Sequence, residues 1–251
     1  MADLNQDLYM IIFKVIEVII YFYCGYSIYR KNKEYILNRT YFISFLGWAA
    51  YIILDAILFP IGHIETGSFG NVTTKYGIAT IPIIANVLRD IAVFAGAIIA
   101  FGFLYASIII RYGEAKAKER NTLILLGAGY IVMSVLTAIF DQIIKEINKV
   151  PETVHTQFSI PSAIMIVAQI VIYFLGIYEL AIIYRKTSEK KEKRRIFYFI
   201  MGATFIALGV LFFVVVGLVG TEGIAYITGP IGHIIWILAP IFILLGIRKS
   251  K

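Results

Sequence analysis

Long apolar segments alternate with short polar connections along the whole chain. A helix that crosses a bilayer core of about 30 Å needs about 20 apolar residues, because each residue advances the helix by about 1.5 Å. Seven segments reach this length. The predicted helices are 8–29, 41–62, 82–110, 122–144, 159–183, 196–219 and 224–247. The pattern predicts an all-α integral membrane protein, a seven-transmembrane-helix bundle in which residues 1–251 form one domain.

The composition is typical of a membrane protein rather than of a soluble domain. Hydrophobic residues make up 60% of the chain, charged residues make up 16%, and the mean hydropathy is +0.83. Asp3 and Asp7, not basic residues, precede the first segment, which is also too long for the apolar region of a signal peptide. The first segment is therefore expected to be retained. Cys24 is the only cysteine, so no intrachain disulfide is expected.

The connections between segments alternate between strongly basic and nearly uncharged. The first, third and fifth connections and the C-terminal tail hold most lysines and arginines, whereas the remaining connections hold only Lys75, Lys145 and Lys149. Basic connections of membrane proteins remain in the cytoplasm. We therefore expect the N-terminus outside the cell, the C-terminus in the cytoplasm, and a multi-pass location in the cell membrane.

The most basic connection lies between the fifth and sixth segments. Its positive side chains are predicted to contact anionic lipid headgroups or a partner protein at the cytoplasmic surface. These residues are Arg185, Lys186, Lys190, Lys191, Lys193, Arg194 and Arg195. Membrane topology also accounts for the net charge of +7, so no nucleic-acid partner is expected.

The sequence indicates an internal repeat at an offset of 155 residues. Residues 23–47 align without a gap with 178–202, and nine of the 25 positions are identical. The matches are Tyr23 with Tyr178, Ile28 with Ile183, Tyr29 with Tyr184, Arg30 with Arg185, Lys31 with Lys186, Glu34 with Glu189, Arg39 with Arg194, Phe42 with Phe197 and Gly47 with Gly202. Duplication of a three-helix unit predicts a parallel 3+1+3 arrangement. Convergent anchoring of helix ends by basic residues is the alternative.

In topology, a 3+1+3 arrangement resembles the small sugar-exporting seven-helix carriers. Seven-helix receptors and microbial rhodopsins share the helix count and the orientation. The Pro-Gln signature of the sugar carriers is absent from this chain. A retinal Schiff base requires a lysine in the last helix, and 223–247 contains none. The resemblance therefore extends only to topology and identifies no family.

Polar side chains within the predicted helices are few. Each is a candidate for function, because an ionisable group in a bilayer is costly unless it is paired or hydrated. The candidate ligand-binding or network residues are Lys14, Glu17, Asp55, Asn86, Arg89, Asp90, Asp141, Gln169, His233 and Trp236. The spacing of Lys14 and Glu17 on one helix allows an ion pair. Counted from the predicted helix ends, the candidates lie in the outer half of the bundle.

Two interpretations of these polar residues remain open. Lys14 and Arg89 oppose Glu17, Asp55 and Asp90, which predicts a compact network with one net negative charge. This network either borders an outward-facing ligand pocket or only holds the helices together. The inner half is largely apolar, which disfavours a continuous ion pathway.

Catalysis and metal binding are not expected. His63, His155 and His233 fall in the outer half or the outer connections, but none belongs to an H-x-x-x-H or H-E-x-x-H pair. The last helix also lacks the paired-histidine motif of membrane hydrolases of the ceramidase type. Neither a nucleophile elbow nor a phosphate loop is present. The prediction is a protein that is not an enzyme and uses no metal or other cofactor.

The leading functional hypothesis is a receptor or sensor-like protein. It would bind a small ligand in the outer half of the bundle and act through a cytoplasmic or membrane partner. The first alternative is a small-solute transporter of parallel-repeat type. The second alternative is a structural membrane subunit with no ligand. The first two hypotheses require the polar residues to border a pocket, whereas the third requires only that they pair with each other.

Overall fold

The computed structural model describes residues 2–65, 70–74, 77–148, 152–157, 159–219 and 225–247. Within these residues, seven helices are long and apolar enough to cross a membrane, which confirms a multi-pass membrane protein. The helices are α1 (Ala2–Tyr29), α2 (Ile36–Ile64), α3 (Ile83–Ala117), α4 (Arg120–Phe140), α5 (Ile160–Lys186), α6 (Lys190–Val219) and α7 (Ala225–Ile247). Helix α6 begins at Lys190 rather than at 196, because charged residues continue the helix beyond its apolar segment.

Six of these helices form a closed ring, and α4 lies outside it. Helix α1 packs against α2 and α7, α3 packs against α2 and α5, and α6 packs against α5 and α7. Helix α4 contacts α3 and α5. Only 11% of its apolar segment is buried, against 50% for α3. The ring therefore consists of α1–α3 and α5–α7, with α4 at its periphery.

The core of the ring is rich in aromatic side chains. Trp48 of α2 meets Trp236 of α7 edge to face, with ring centroids 5.2 Å apart. Phe103 of α3 packs against Tyr173 of α5 at a centroid distance of 4.6 Å. Lipid chains are as apolar as these rings, so close packing rather than exclusion of water holds such helices together.

A four-stranded antiparallel sheet lies at one end of the bundle. In sheet order, its strands are β1 (Asn71–Thr74), β2 (Gly77–Thr80), β3 (Gln142–Glu146) and β4 (Thr153–Gln157). The first hairpin connects α2 to α3, and the second connects α4 to α5. The two hairpins join where Ala79 pairs with Glu146 and Thr80 pairs with Lys145. We call this end of the bundle the sheet end, and the opposite end, with the α1–α2, α3–α4 and α5–α6 connections, the basic end.

The hydropathy pattern did not predict the sheet. The helix expected over 122–144 ends at Phe140, and the remainder of that segment forms the start of β3. Ile143 belongs to the apolar run that suggested a continuing helix, but it is buried with Leu58 of α2 and Ala85 of α3. An apolar run can supply a buried strand as well as a helix. The fold is therefore a helix bundle with a small sheet, not a wholly α-helical bundle.

Candidate functional site

Four charged side chains form a continuous series of ion pairs in the sheet-end half of the bundle. Lys14 Nζ of α1 lies 2.8 Å from Asp55 Oδ2 of α2. Arg89 Nη1 of α3 lies 3.0 Å from Asp55 Oδ1, and Arg89 Nε donates to Asp141 Oδ2 at 3.0 Å. We call Lys14, Asp55, Arg89 and Asp141 the charge chain. Its charges alternate in sign and sum to zero.

The charge chain is largely buried. The exposed fraction of the side chain is 9% for Lys14, 10% for Arg89 and 1% for Asp141. The guanidinium of Arg89 also lies 5.9 Å from the centroid of the Tyr51 ring. Removing an ion from water costs several kcal/mol, and a close opposite charge with good geometry offsets that cost. Because every cation in the charge chain meets a carboxylate, the chain joins α1, α2 and α3 to the end of α4.

Asn86 of α3 holds β3, the strand that directly follows Asp141. Its amide nitrogen donates to the carbonyl of Ile143 at 2.9 Å, and its amide oxygen accepts from the N–H of Ile143 at 2.9 Å. One side-chain amide thereby offers β3 the donor and the acceptor that a neighbouring strand would offer. Arg89 follows Asn86 by three residues and so lies on the same face of α3. This face therefore positions both β3 and the cation that pairs with Asp141.

Glu65 stabilises the beginning of α3, where the sequence analysis assigned it no role. Its carboxylate accepts from the N–H of Ile84 at 2.8 Å and from the N–H of Ala85 at 3.1 Å. The first N–H groups of a helix have no partner within the helix, and a negative charge there also interacts favourably with the helix dipole. Glu65 therefore anchors the helix that carries Asn86 and Arg89.

Glu17 and His233 form a second pair. His233 Nδ1 lies 2.9 Å from Glu17 Oε1, and the two side chains are 5% and 0% exposed. Glu17 is on α1 and His233 is on α7, so the pair lies at the contact that closes the helix ring. The imidazole is surrounded by the rings of Phe13, Phe213 and Trp236, at centroid distances of 6.3, 5.5 and 5.5 Å. The pair therefore occupies a mainly aromatic site.

Glu17 retains unused capacity to accept hydrogen bonds. Its Oε2 is buried and has no hydrogen-bond partner among the residues that the structure describes. Asp141 Oδ1 is also buried without a hydrogen-bond partner among the described residues. The other oxygen of that carboxylate, Oδ2, accepts two hydrogen bonds from Arg89. An imidazole, unlike a guanidinium, carries a positive charge only when it is protonated. The negative charge of Glu17 is therefore less fully compensated than that of Asp141.

Two contacts expected from the sequence differ in the structure. Lys14 and Glu17 bind separate partners on α2 and α7 rather than each other. Asp90 lies on the exposed surface of α3, whereas Arg89 is buried. Consecutive residues of a helix point about 100° apart, so both cannot face the same neighbours. Asp141, and not the predicted Asp90, is the carboxylate that pairs with Arg89.

Gln169 and Trp236 make neutral contacts within the bundle. Gln169 Nε2 of α5 donates to Thr137 Oγ1 of α4 at 2.7 Å. Trp236 Nε1 of α7 donates to the carbonyl of Ile206 in α6 at 3.2 Å. Gln169 therefore connects the peripheral helix to the ring, and Trp236 forms one side of the aromatic site around His233.

The predicted lipid-contact or partner-contact residues lie at the end of α5 and the beginning of α6. They are Arg185, Lys186, Lys190, Lys191, Lys193, Arg194 and Arg195. Arg195 Nε donates to the carbonyl of Gly246 at 3.2 Å, near the C-terminus of α7. Arg194 lies over the ring of Tyr198 at 5.8 Å. The beginning of α6 therefore contacts the end of α7 directly.

The structure also pairs Arg111 of α3 with Glu179 of α5, at 2.6 Å. Neither residue was among the candidates predicted from the sequence. The available signal was that both residues lie near the basic ends of their helices. This ion pair connects α3 and α5 on the side of the bundle opposite the sheet.

Comparison with protein-family models and with curated proteins finds no match for this chain. The seven spanning helices establish contact with a lipid bilayer. Among the described residues, no three His, Cys, Asp or Glu side chains come together in a way that would hold a metal ion. The chemistry of the sheet-end half is that of paired ions and of a buried carboxylate that can accept further hydrogen bonds.

Proposed function

We propose that this chain is a receptor or sensor-like protein of the cell membrane that binds a small hydrogen-bond-donating ligand at Glu17. One observation carries the proposal: Glu17 Oε2 is buried without a donor among the described residues, at the contact that closes the ring. An ammonium group or another N–H or O–H donor suits such a carboxylate. With the N-terminus outside, as the basic connections indicate, the ligand would come from the sheet end.

The charge chain supports this proposal as a rigid frame rather than as the ligand contact. A ligand that bound Asp55 or Asp141 would have to displace Arg89 or Lys14 from a carboxylate. Removing one partner from a buried ion pair costs about 3–5 kcal/mol. A ligand at Glu17 competes with fewer internal contacts, since it can use the oxygen that His233 does not contact.

Helix α7 provides a route from Glu17 to the basic end. His233 lies in the first half of α7, and the carbonyls of Gly246 and Ile247 lie at its other end. Gly246 accepts from Arg195, and Ile247 accepts from Lys31. A ligand that changed the distance between Glu17 and His233 would shift α7 and, with it, the α1–α2 connection and the beginning of α6. A cytoplasmic or membrane partner bound there would respond to the shift.

Ligand-dependent thermal stabilisation of the purified protein tests the proposed site. The probes are ammonium, small primary amines and amino acids, each added to the wild type and to two variants. We expect at least one probe to stabilise the wild type and Glu179→Gln but not Glu17→Gln. Glu179 is the matched control, because it is also a buried carboxylate and pairs with Arg111 at the opposite end. Stabilisation that persists in Glu17→Gln contradicts the site.

The second candidate is a small-solute carrier built from parallel repeats, and equivalent contacts in the two halves favour it. A Cβ atom on Gly47 would lie 2.8 Å from the carbonyl oxygen of Ala95. A Cβ atom on Gly202 would lie 2.5 Å from the carbonyl oxygen of Ala239. Gly47 and Gly202 are matched positions of the repeat. Gly47 allows α2 to cross close to α3, and Gly202 allows α6 to cross close to α7.

Aromatic contacts near the basic end follow the same correspondence. Tyr29 stacks on Phe42 with ring centroids 5.1 Å apart, and Tyr184 packs against Phe197 at 6.2 Å. Tyr29 matches Tyr184, and Phe42 matches Phe197, at the offset of 155 residues. These equivalent contacts, together with the peripheral position of α4, support a duplicated three-helix unit with a parallel 3+1+3 arrangement.

Solute counterflow in proteoliposomes distinguishes the carrier from the receptor. Carriers of this type bind their solute between the repeats. Ala95 and Ala239 are the residues whose carbonyls face the matched glycines of the two repeats. Arg89 and His233 each lie six residues before one of these alanines and so occupy equivalent positions. Saturable exchange of a labelled amine supports the carrier and contradicts the receptor. Stabilisation without exchange supports the receptor. A structural subunit predicts neither effect, with Glu17→Gln changing only the stability.

A further inference from the structure

A shallow groove runs along the membrane-facing surface between α1 and α2. It has a volume of about 420 Å³ and is almost entirely apolar. Residues that line it include Val18, Phe22, Tyr26, Leu46, Ala50 and Ile53. The rings of Phe22 and Tyr26 stack with an interplanar angle of 4° and form one continuous wall. This shape suits an extended hydrocarbon chain.

Contacts between α1 and α2 fix the groove on both sides. Towards the sheet end, the two helices are joined by the ion pair of Lys14 with Asp55. Towards the basic end they approach closely, since a Cβ atom on Gly25 would lie 3.1 Å from the Cβ of Phe45. Between these contacts, the small side chain of Ala50 leaves the space open. The groove is therefore part of the folded structure and does not require a ligand to form.

A cation lies just beyond the basic end of the groove. Arg30 follows Tyr26 by one helical turn, and its guanidinium lies 5.7 Å from the centroid of the Tyr26 ring. Two neighbouring cations are already engaged, because Lys31 donates to the carbonyl of Ile247 and Arg39 pairs with Glu34 at 2.9 Å. Arg30 is exposed, and the described residues place no carboxylate within ion-pair distance of it. Its guanidinium is therefore available to an anion at the membrane surface.

We propose that this groove binds one hydrocarbon chain of an anionic phospholipid, whose phosphate is held by Arg30. Any lipid chain can fill an apolar groove in a bilayer, because lipid tails are as apolar as its walls. Retention of one particular lipid class therefore depends on the headgroup. A guanidinium can donate two parallel hydrogen bonds to a phosphate, and the aromatic ring of Tyr26 supports it from the other side. The groove therefore holds the hydrocarbon chain of the lipid, and Arg30 selects a negatively charged headgroup.

Competition between two lipids that differ only in headgroup tests the site. Protein purified in detergent is incubated with phosphatidylglycerol or phosphatidylcholine of identical chains, and bound lipid is counted by native mass spectrometry. We expect one retained phosphatidylglycerol and little phosphatidylcholine. Arg30→Gln should lower the affinity for phosphatidylglycerol by about fivefold, as expected for loss of one basic residue at an anionic surface. Ala50→Phe should reduce the retention of both lipids, because it fills the groove.

Two controls separate this site from general attraction to the basic end. Arg39→Gln removes a neighbouring arginine of the basic end that already pairs with Glu34 at 2.9 Å. Val215→Phe places the same phenylalanine side chain at an exposed position of α6. Both controls should retain phosphatidylglycerol like the wild type, and circular dichroism should show that every variant is folded. Equal retention by Arg30→Gln and the wild type, or an equal loss in Arg39→Gln, would overturn the proposal.

Discussion

The two ends of the bundle use ion pairs in opposite ways. At the sheet end, the side chains of Arg89 and Asp141 are 10% and 1% exposed. At the basic end, the side chains of Arg39 and Glu34 are 49% and 89% exposed. Both pairs are in direct contact, at 2.5 and 2.9 Å. The exposure of each pair, and not its N···O distance, therefore decides how much the pair contributes to stability.

The two ends should therefore differ in how much stability is lost when one partner of an ion pair is replaced. Losing one partner of a buried pair leaves an uncompensated charge, at a cost of about 3–5 kcal/mol. An exposed pair contributes only about 0–1 kcal/mol and weakens with added salt. The sheet end is therefore expected to keep one geometry. The basic end is expected to tolerate substitution of its exposed ion pairs.

The largest expected effect is that of Arg89→Gln. It leaves the carboxylates of Asp55 and Asp141 without their shared cation, so the free energy of unfolding should fall by about 3–5 kcal/mol. Unfolding in mixed detergent micelles, followed by circular dichroism, measures this loss. Lys118→Gln is the control, because Lys118 and its partner Glu114 are 59% and 44% exposed. Equal destabilisation by the two variants would show that burial does not distinguish the ends.

A smaller effect is expected for Glu17→Leu, which leaves His233 Nδ1 buried without its partner. A buried polar atom that loses its hydrogen bond costs about 1–3 kcal/mol. Glu17→Gln retains an acceptor for His233 and should cost less than Glu17→Leu in the same unfolding assay. If the two variants are equally stable, the contact of Glu17 with His233 does not stabilise the closure of the ring.

The smallest effect is expected for Arg39→Gln at the basic end. Its partner Glu34 is almost fully exposed, so the free energy of unfolding should change by no more than about 1 kcal/mol. Raising the salt concentration should reduce even this difference, because salt screens exposed charges. A loss as large as that of Arg89→Gln would contradict the contrast between the two ends.

Hydropathy was sufficient to predict the seven helices, because a bilayer demands long apolar segments whatever their neighbours are. The same argument selected Lys14, Asp55 and Arg89 as residues that need partners inside the membrane. The partners themselves depend on helix rotation, which the sequence does not specify. Asp90 and Asp141 are chemically alike, but only Asp141 faces Arg89. The choice between them follows from the packing of α3.

The sheet was not predictable in the same way. Its strands have four or five residues each, and β2 pairs with a strand more than 60 positions away along the chain. Such pairing leaves no local periodic signal. Glu65 was missed for a related reason, since it caps α3 from the connection that precedes it. These contacts are specified by tertiary structure, and they position Asp141 and Arg89.

A double-mutant cycle on Arg89 and Asp141 tests the central claim that the charge chain is one energetically coupled frame. The unfolding free energies of the wild type, Arg89→Gln, Asp141→Asn and the double variant are measured in the same micelles. The predicted result is a coupling energy above about 1 kcal/mol and up to about 3 kcal/mol, with the double variant more stable than the sum of the single effects implies. Additivity within about 0.3–0.5 kcal/mol would contradict the claim.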